Sequence, residues 1–401
     1  SLGNNNINVR AIAQGASERN ISIIIDEINA KKALNALHES FFEKDLKDIH
    51  IFITGVGNVG GYLIQQIKNQ KDFISENLGL NLKVLGVSNS KKMLISKEEI
   101  DLKNWSKLLD NSKTKADKDL FQKTIIELNR RNSLFVDNTA SDIIPLTYND
   151  YLKNGVGIIT CNKISNSGTL NVYKELRELS MRHNARFFYE TNVGAALPVI
   201  STLKNLINSG DKVLKIEAVL SGTLNYIFNN FQEENTFHDI VSNAVNLGYT
   251  EPDPKIDLCG IDVCRKILIL ARESGYNLEY EDVKKNHFLP DESINTTSND
   301  EFILSLKNNK AHFNKILNEA KEKNCRLKFV AKLDNGNASV GLEAVSLDHP
   351  FYNLVGSDNI TVFHTERYKD SPLVVKGAGA GGEFTASGVF ADIIKASQEN
   401  G

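Results

Sequence analysis

Ile49-His50-Ile51-Phe52-Ile53-Thr54-Gly55-Val56-Gly57-Asn58-Val59-Gly60-Gly61-Tyr62 runs without a break from an apolar stretch into a glycine-rich one. The first six residues have the composition of a strand. Tyr62–Asn69 then spaces its apolar residues as a helix does. A G-x-G-x-x-G pattern between a strand and a helix has a physical reading that the same letters elsewhere lack. Gly55 permits a tight turn, Gly57 lets backbone approach a pyrophosphate, and Gly60 lets helix and strand pack closely. With Val56, Asn58 and Val59 completing the turn, the helix N-terminus offers N–H donors to phosphate.

Outward from this turn, apolar segments recur at Leu82–Val87, Leu134–Asp137, Gly157–Thr160 and Arg186–Tyr189. Helical patterns such as Leu120–Arg130 and Leu170–His183 separate most of them. The alternation predicts a parallel, doubly wound sheet. The second strand ends in Ser88, Asn89, Ser90, Lys91 and Lys92. An NAD-selective site prefers an acidic residue there to hold the ribose diol. Hydroxyls and ammonium groups instead suit a 2′-phosphate, so the reading favours NADP and leaves NAD use open. Thr139 and Ala140 follow the third strand, and Cys161, Asn162 and Lys163 follow the fourth. Both groups fall at C-terminal strand ends, where open α/β sheets take ligands.

Past about Asn192 the alternation stops. Helical stretches at Ala196–Asn208, Phe237–Leu247 and Ile261–Ser274 mix with strands at Lys215–Leu220, Arg326–Leu333 and Ala338–Ala344. This is an α+β pattern. Within it, Gly248-Tyr249-Thr250-Glu251-Pro252-Asp253-Pro254-Lys255-Ile256-Asp257 is an acidic loop stiffened by two prolines. Asp262 and Lys266 follow four residues apart and share a helix face. Taken alone they read as an ordinary i,i+4 ion pair; the carboxylates crowded beside them argue for more. At the other end, Asn8–Gln14, a polar turn at Gly15–Asn20, Ile21–Asp26 and an amphipathic Asn29–Phe41 form a β–β–α piece. Its helix offers Ala33, Leu34, Leu37 and Phe41, too little to bury a core alone. The charged stretch Glu43–Asp48 links it to the glycine-turn unit.

A chain of 401 residues calls for more than one core. A net charge of −3 gives no global field that favours nucleic acid or an anionic membrane. No apolar run is long enough for a membrane span, and the N-terminus lacks a signal core, so the expectation is a soluble cytoplasmic protein. Cys161, Cys259, Cys264 and Cys325 form no CxxC pair, which excludes the usual zinc spacing and suits reduced thiols. Two other readings stay open: an acylating dehydrogenase using Cys161 as nucleophile, and a ligand-sensing module without turnover.

Taken together, GVGNVGG, TCNK, ETNVGAALPVI, LSGTLNYIF, GYTEPDPKIDLCGIDVCRK and KGAGAGGEFTASGVFAD resemble homoserine dehydrogenases, in the family's order over residues 49–401. TCNK stands where TANK or TPNK is commoner, and Ala196 where Gly is frequent. The leading NVRAIAQGASERNISIIID is similar to the end of an aspartate kinase regulatory (ACT) region, as in the bifunctional enzymes. The resemblance implies a partial ACT-like β–β–α segment over 1–43 and a Rossmann-type NAD(P)-binding domain over 44–190, to which the C-terminal helix in 376–401 returns. An α+β substrate and dimerisation domain would cover 191–375. It implies Lys266 as acid/base, with Lys163 sharing the proton role on the cofactor side. Glu251, Asp257 and Asp262 would hold the amino-acid substrate. Gly222, Thr223 and Gly248 would line its pocket, and Gly381 would close over the cofactor. Glu190 with the carbonyls of Val193, Ala195 and Leu197 resembles a site for a monovalent cation such as Na⁺. The implied partners are a second copy of the chain and an aspartate kinase domain in cis.

Overall fold

The computed structural model describes residues 2–15, 20–42 and 46–398, with backbone only for Asn4 and residues 39–42. The expected turn at Gly15–Asn20, the stretch Glu43–Asp48 and the side chain of Phe41 therefore fall wholly or partly outside the described residues. The chain divides into two compact units, Ser1–Ser165 with Asn171–Tyr189 and Thr385–Gly401, and Asn166–Leu170 with Glu190–Phe384.

The first unit begins with an antiparallel pair, β1 (Val9–Gln14) and β2 (Ile21–Ile25), followed by the helix Ala30–Phe42. Ala33 and Ala36 pack with Leu2 and Ile7 in a small cluster that Leu37 borders. Leu34, expected on the same face, is 70% exposed. It sits one residue on from Ala33, which rotates it about 100° off the stripe that Ala33, Ala36 and Leu37 share.

The rest of the unit is built on a six-stranded sheet. Its strands are β3 (Lys47–Thr54), β4 (Leu80–Ser88), β5 (Met93–Ile95), β6 (Ser133–Asp137), β7 (Gly157–Thr160) and β8 (Phe187–Phe188). The spatial order is β5-β4-β3-β6-β7-β8, parallel throughout except for the edge strand β5. The order reverses between β4 and β6 on either side of β3, so the glycine turn leaves the sheet at its topological switch point. Ile49, Ile51 and Ile53 face one core with Leu63, Ile64 and Ile67 of the helix Asn58–Leu78 and Val389 and Ile393 of the helix Gly382–Gln398. Phe52 faces the other way and is also fully buried. Helices on both faces explain why β3 reads as a continuous apolar run rather than an alternating one.

The second unit carries a six-stranded mixed sheet: β9 (Val213–Val219), β10 (Lys284–Asn286), β11 (Arg326–Asp334), β12 (Asn337–Val345), β13 (Asp358–Thr365) and β14 (Leu373–Ala378). The order is β10-β12-β11-β9-β13-β14, antiparallel except for β10 against β12. The helix Ile261–Glu273 packs on β11 and β12, its interior from Val263 to Ala271 almost wholly buried. Gly260, at φ +68, starts this helix, and a β-carbon there would meet the Phe329 ring at 2.5 Å. Gly260 is thus required twice, by the backbone angle and by the closeness of the sheet.

Candidate active site

In the first unit the glycine turn has three distinct environments. Gly55 is at φ +89, and a β-carbon there would lie 2.8 Å from the Asn138 carbonyl carbon. At Gly60 it would lie 2.3 Å from the Gly55 oxygen. At Gly57 it would meet nothing within 4 Å. Two glycines are therefore demanded by the protein's own packing, and the third faces open space at the start of the helix Asn58–Leu78. Gly57 offers no side-chain cap there, which leaves the helix N-terminus suited to an anion.

Thr54, Gly55, Ser88, Asn89, Ser90 and Thr139 line a pocket of about 340 Å³ beside this turn. Its apolar walls are Phe121, Phe135, Ile143, Ile144 and Tyr151. The sequence gives no sign of these, because aromatics at helix and strand spacing read as core. Val56, Asn58, Val59, Lys91, Ala140 and Lys163 do not line it. The Asn89 side chain accepts from the backbone N–H of Lys91 and Lys92 at 2.8 and 2.7 Å, closing the loop after β4. Lys92 donates to the Asp110 carbonyl. The one acid in the pocket wall, Asp117, caps the helix Lys118–Leu128 by accepting from Asp119 and Leu120 N–H. A nicotinamide dinucleotide fits these features: room at Gly57, a bare helix N-terminus and an apolar pocket next to them.

Behind the pocket lies a buried polar network. The Asp137 carboxylate, 0% exposed, accepts from Tyr148 Oη at 2.7 Å, Thr139 N at 2.7 Å and Asn162 Nδ2 at 3.2 Å. Tyr148 Oη in turn accepts from the Thr160 hydroxyl, 2.8 Å away, and Asn162 donates to the Ser141 carbonyl. Burial pushes the Asp137 carboxyl up, against those hydrogen bonds. The network joins the ends of β6 and β7 and so fixes the loops bearing Thr139 and Lys163. Both side-chain polar atoms of Asn138 are buried without a partner among the described residues, an uncommon state that calls for a ligand or water. Burial first, then the Asp137 charge, with Lys163 opposing, pushes the Cys161 thiol up to about 12. The thiolate that acylating chemistry needs is therefore scarce at neutral pH.

In the second unit, the helix Ile261–Glu273 holds Asp262 and Lys266 one turn apart, with Lys266 Nζ 2.7 Å from Asp262 Oδ2 and 2.7 Å from the Leu220 carbonyl. Lys266 is only 8% exposed, so this is not the solvated surface pair that spacing alone suggests. Asp253 caps the short helix Pro254–Leu258, with Pro254 in its first turn. Asp257 Oδ2 accepts from the Glu251 backbone N–H at 2.8 Å. Burial first, then the charges of Glu251, Asp262 and Asp253, raise the Asp257 carboxyl to about 6. Thr223 Oγ1 donates to the Tyr249 carbonyl at 2.5 Å, tying the helix Gly222–Asn230 to the acidic loop. Gly248 in that loop is at φ +70. Gly381, at φ +116, precedes the helix Gly382–Gln398.

The second unit also holds the cation candidates. Glu190 Oε1 accepts from Ile200 N at 2.7 Å and Oε2 from Ser201 N at 2.9 Å, so its carboxylate caps the helix Val199–Asn208. Gly194 and Ala195 turn through positive φ, +83 and +53. The Leu197 carbonyl accepts from Val199 N. Among the described residues no group of three His, Cys, Asp or Glu side chains is placed to hold a metal, and no helix is long and apolar enough to cross a membrane.

Residues 55–190 match the family model "Homoserine dehydrogenase, NAD binding domain", residues 198–394 match "Homoserine dehydrogenase", and residues 1–41 match "ACT domain". A Schizosaccharomyces pombe homoserine dehydrogenase is 37% identical over 87% of this chain and 95% of its own length. A chloroplastic bifunctional aspartokinase/homoserine dehydrogenase 2 of Zea mays is 43% identical over 98% of this chain, which spans 43% of that protein's length. Among solved structures, a hyperthermophilic archaeal homoserine dehydrogenase in complex with NADPH is similar at a TM-score of 0.67 and 26% identity, over 87% of this chain and 98% of that one.

Proposed function

The chain belongs to the homoserine dehydrogenase family, and from that membership we propose that it interconverts L-homoserine and L-aspartate 4-semialdehyde with NADP, NAD being the alternative. The observation that carries the reading is the buried Lys266 ammonium, oriented by Asp262 and the Leu220 carbonyl. When bound, the nicotinamide supplies the hydride chemistry, held in our reading by Gly55 through Gly60, Ser88, Asn89, Ser90, Lys91, Thr139, Ala140, Lys163 and Gly381. Negative charge grows on the substrate oxygen as the aldehyde is reduced. Lys266 stabilises it and donates the proton there; in the reverse direction it takes the proton back. Lys163 shares that role. Glu251, Asp257 and Asp262 hold the substrate's ammonium and hydroxyl, and Gly222, Thr223 and Gly248 shape the space around it.

Residues 44–190 act as the cofactor domain and 191–375 as the substrate domain, through which two copies pair. Residues 1–43 serve as part of an ACT-type regulatory region, which the match at 1–41 supports. The bifunctional relatives support an aspartate kinase domain in cis in the whole protein. Glu190 with the Val193, Ala195 and Leu197 carbonyls holds Na⁺ or a similar ion. Four free thiols suit a reducing compartment, the cytoplasm in our reading.

The test adds L-homoserine to the protein with NADP⁺, then with NAD⁺, in the presence of Na⁺, and follows absorbance of the reduced cofactor. Signal with homoserine but not with serine or threonine is expected, faster with NADP⁺. A folded sample that binds NADPH yet reduces neither cofactor would overturn the proposal.

A further inference from the structure

We propose that the first unit carries a second ligand site, for a phosphate group, at the end of the parallel sheet opposite the glycine turn. Two adjoining cavities lie there, of about 90 Å³ and about 630 Å³, and Lys32, Arg130 and Asn132 line both. The smaller one also reaches Lys47, Ser133 and Gly157, which stand at or near the starts of β3, β6 and β7. Strand β3 runs from Lys47 to Thr54, so the two ends of the sheet are separated by about 23 Å at the usual rise per residue. A ligand here is neither the dinucleotide at the glycine turn nor the substrate of the second unit.

Lys32 makes the case. It projects from the helix Ala30–Phe42, is half-buried, and has no hydrogen-bond acceptor or counter-ion among the described residues. Burial lowers its pKa, and the nearby Arg131 charge lowers it further. A cation withdrawn from water and left beside more positive charge is costly unless an anion joins it. The acids of the larger cavity are directed elsewhere: Asp48 pairs with Lys83 at 2.5 Å, and Glu127 lies 3.8 Å from Lys123. Arg130 holds the Lys97 carbonyl with one nitrogen, Nη2. Lys47 donates to the Ser397 carbonyl; Lys31, Lys97 and Arg131 line only the larger cavity and Arg186 only the smaller, so Lys32 and Arg130 are the cations that face both.

Two cations call for a dianion. A single water needs on the order of 10–15 Å³, so the smaller cavity takes a tetrahedral oxyanion. The larger one, with Ile28, Leu46 and Leu128 in its wall, takes the organic body of a phosphomonoester. A phosphate held there bridges the N-terminal β–β–α segment, through Lys32, to the start of β6, through Arg130 and Asn132. That strand ends at Asp137, beside the glycine turn, so the bound phosphate tightens a segment linked through one rigid strand to the cofactor loops.

Titration calorimetry on the whole chain tests this, with inorganic phosphate and phenyl phosphate as probes and sodium chloride at matched ionic strength as the control. One phosphate should bind, and its affinity should fall about tenfold or more in Lys32→Met and, separately, in Arg130→Met, each losing one charge-assisted contact. Phenyl phosphate binding about tenfold tighter than inorganic phosphate identifies an ester as the ligand; equal affinities identify free phosphate. No phosphate-specific heat in the wild type, or affinities unchanged in both folded variants, would overturn the proposal.

Discussion

Lys266 and Asp257 separate structure from chemistry through burial. A solvated i,i+4 pair is worth a few tenths of a kcal/mol, and losing it leaves little trace. Lys266 is 8% exposed and has two oriented acceptors. Lys266→Met keeps the stem and removes the charge; its turnover should drop by about 10²- to 10⁴-fold while NADPH affinity stays within about twofold. Wild-type turnover in a folded variant would remove Lys266 from the reaction. Asp257 adds a pH signature. Its carboxyl is raised to about 6, so its charge disappears as pH falls through that value. If that charge helps hold the substrate ammonium, the homoserine KM rises as pH drops below about 6, and Asp257→Asn has a high KM with a flatter profile. KM curves measured on both proteins that bend alike in this range would show that another group is responsible.

The glycine turn gives an element-scale test, because its glycines answer to different neighbours. A β-carbon at Gly60 would lie 2.3 Å from the Gly55 oxygen, whereas Gly57 has nothing within 4 Å. Gly60→Ala should therefore cost about 1–3 kcal/mol of stability through overpacking, together with cofactor affinity. Gly57→Ala should leave the melting temperature nearly unchanged and weaken NADP binding alone, since only the dinucleotide would meet the new methyl group. Differential scanning calorimetry with cofactor titration reads both; equal melting losses would mean that Gly57 is structural too. The same turn marks how far sequence reaches. The parallel sheet is legible because β3, β4, β6 and β7 are apolar runs closed by glycine or polar residues. Helix Asn58–Leu78 extends well past Tyr62–Asn69 at both ends, where Gly60 and Gly61 are poor helix formers and the last turns are polar. Strand β13 escapes a period-two reading because Asn359, Thr361 and Thr365 are buried beside Ile360, Val362 and Phe363. At the site, the acidic loop and the Asp262–Lys266 spacing are visible in the chain. The Asp137–Tyr148–Thr160–Asn162 network is not, since pairing between strand ends leaves no local pattern.

For the molecule as a whole, a net charge of −3 supplies little long-range field, so its response to acid depends on local clusters. The chief one surrounds Glu217 on β9, 5% exposed. Lys215 lies 2.9 Å from its carboxylate, His364 3.3 Å, Lys332 3.7 Å and His349 3.8 Å. Burial alone would raise this carboxyl; the nearby His349 and Lys215 outweigh it and hold it at about 2, against 4.5 when unperturbed. Between those values the unfolded chain binds the proton and the folded chain does not. Stability from this group is thus complete above about 4.5 and lost as pH falls toward 2. Asp257 has the opposite sign: raised to about 6 from 3.8, it favours the folded state when protonated, and that contribution is lost as pH rises through 6. Glu217→Gln should therefore be less stable than wild type at neutral pH and converge with it in acid, while Asp257→Asn should gain on wild type as pH rises from about 4 to about 7. Urea unfolding of the three proteins across this range measures both slopes. If the wild-type and Glu217→Gln curves run parallel from neutral pH into acid, the cluster around β9 does not set the acid limb.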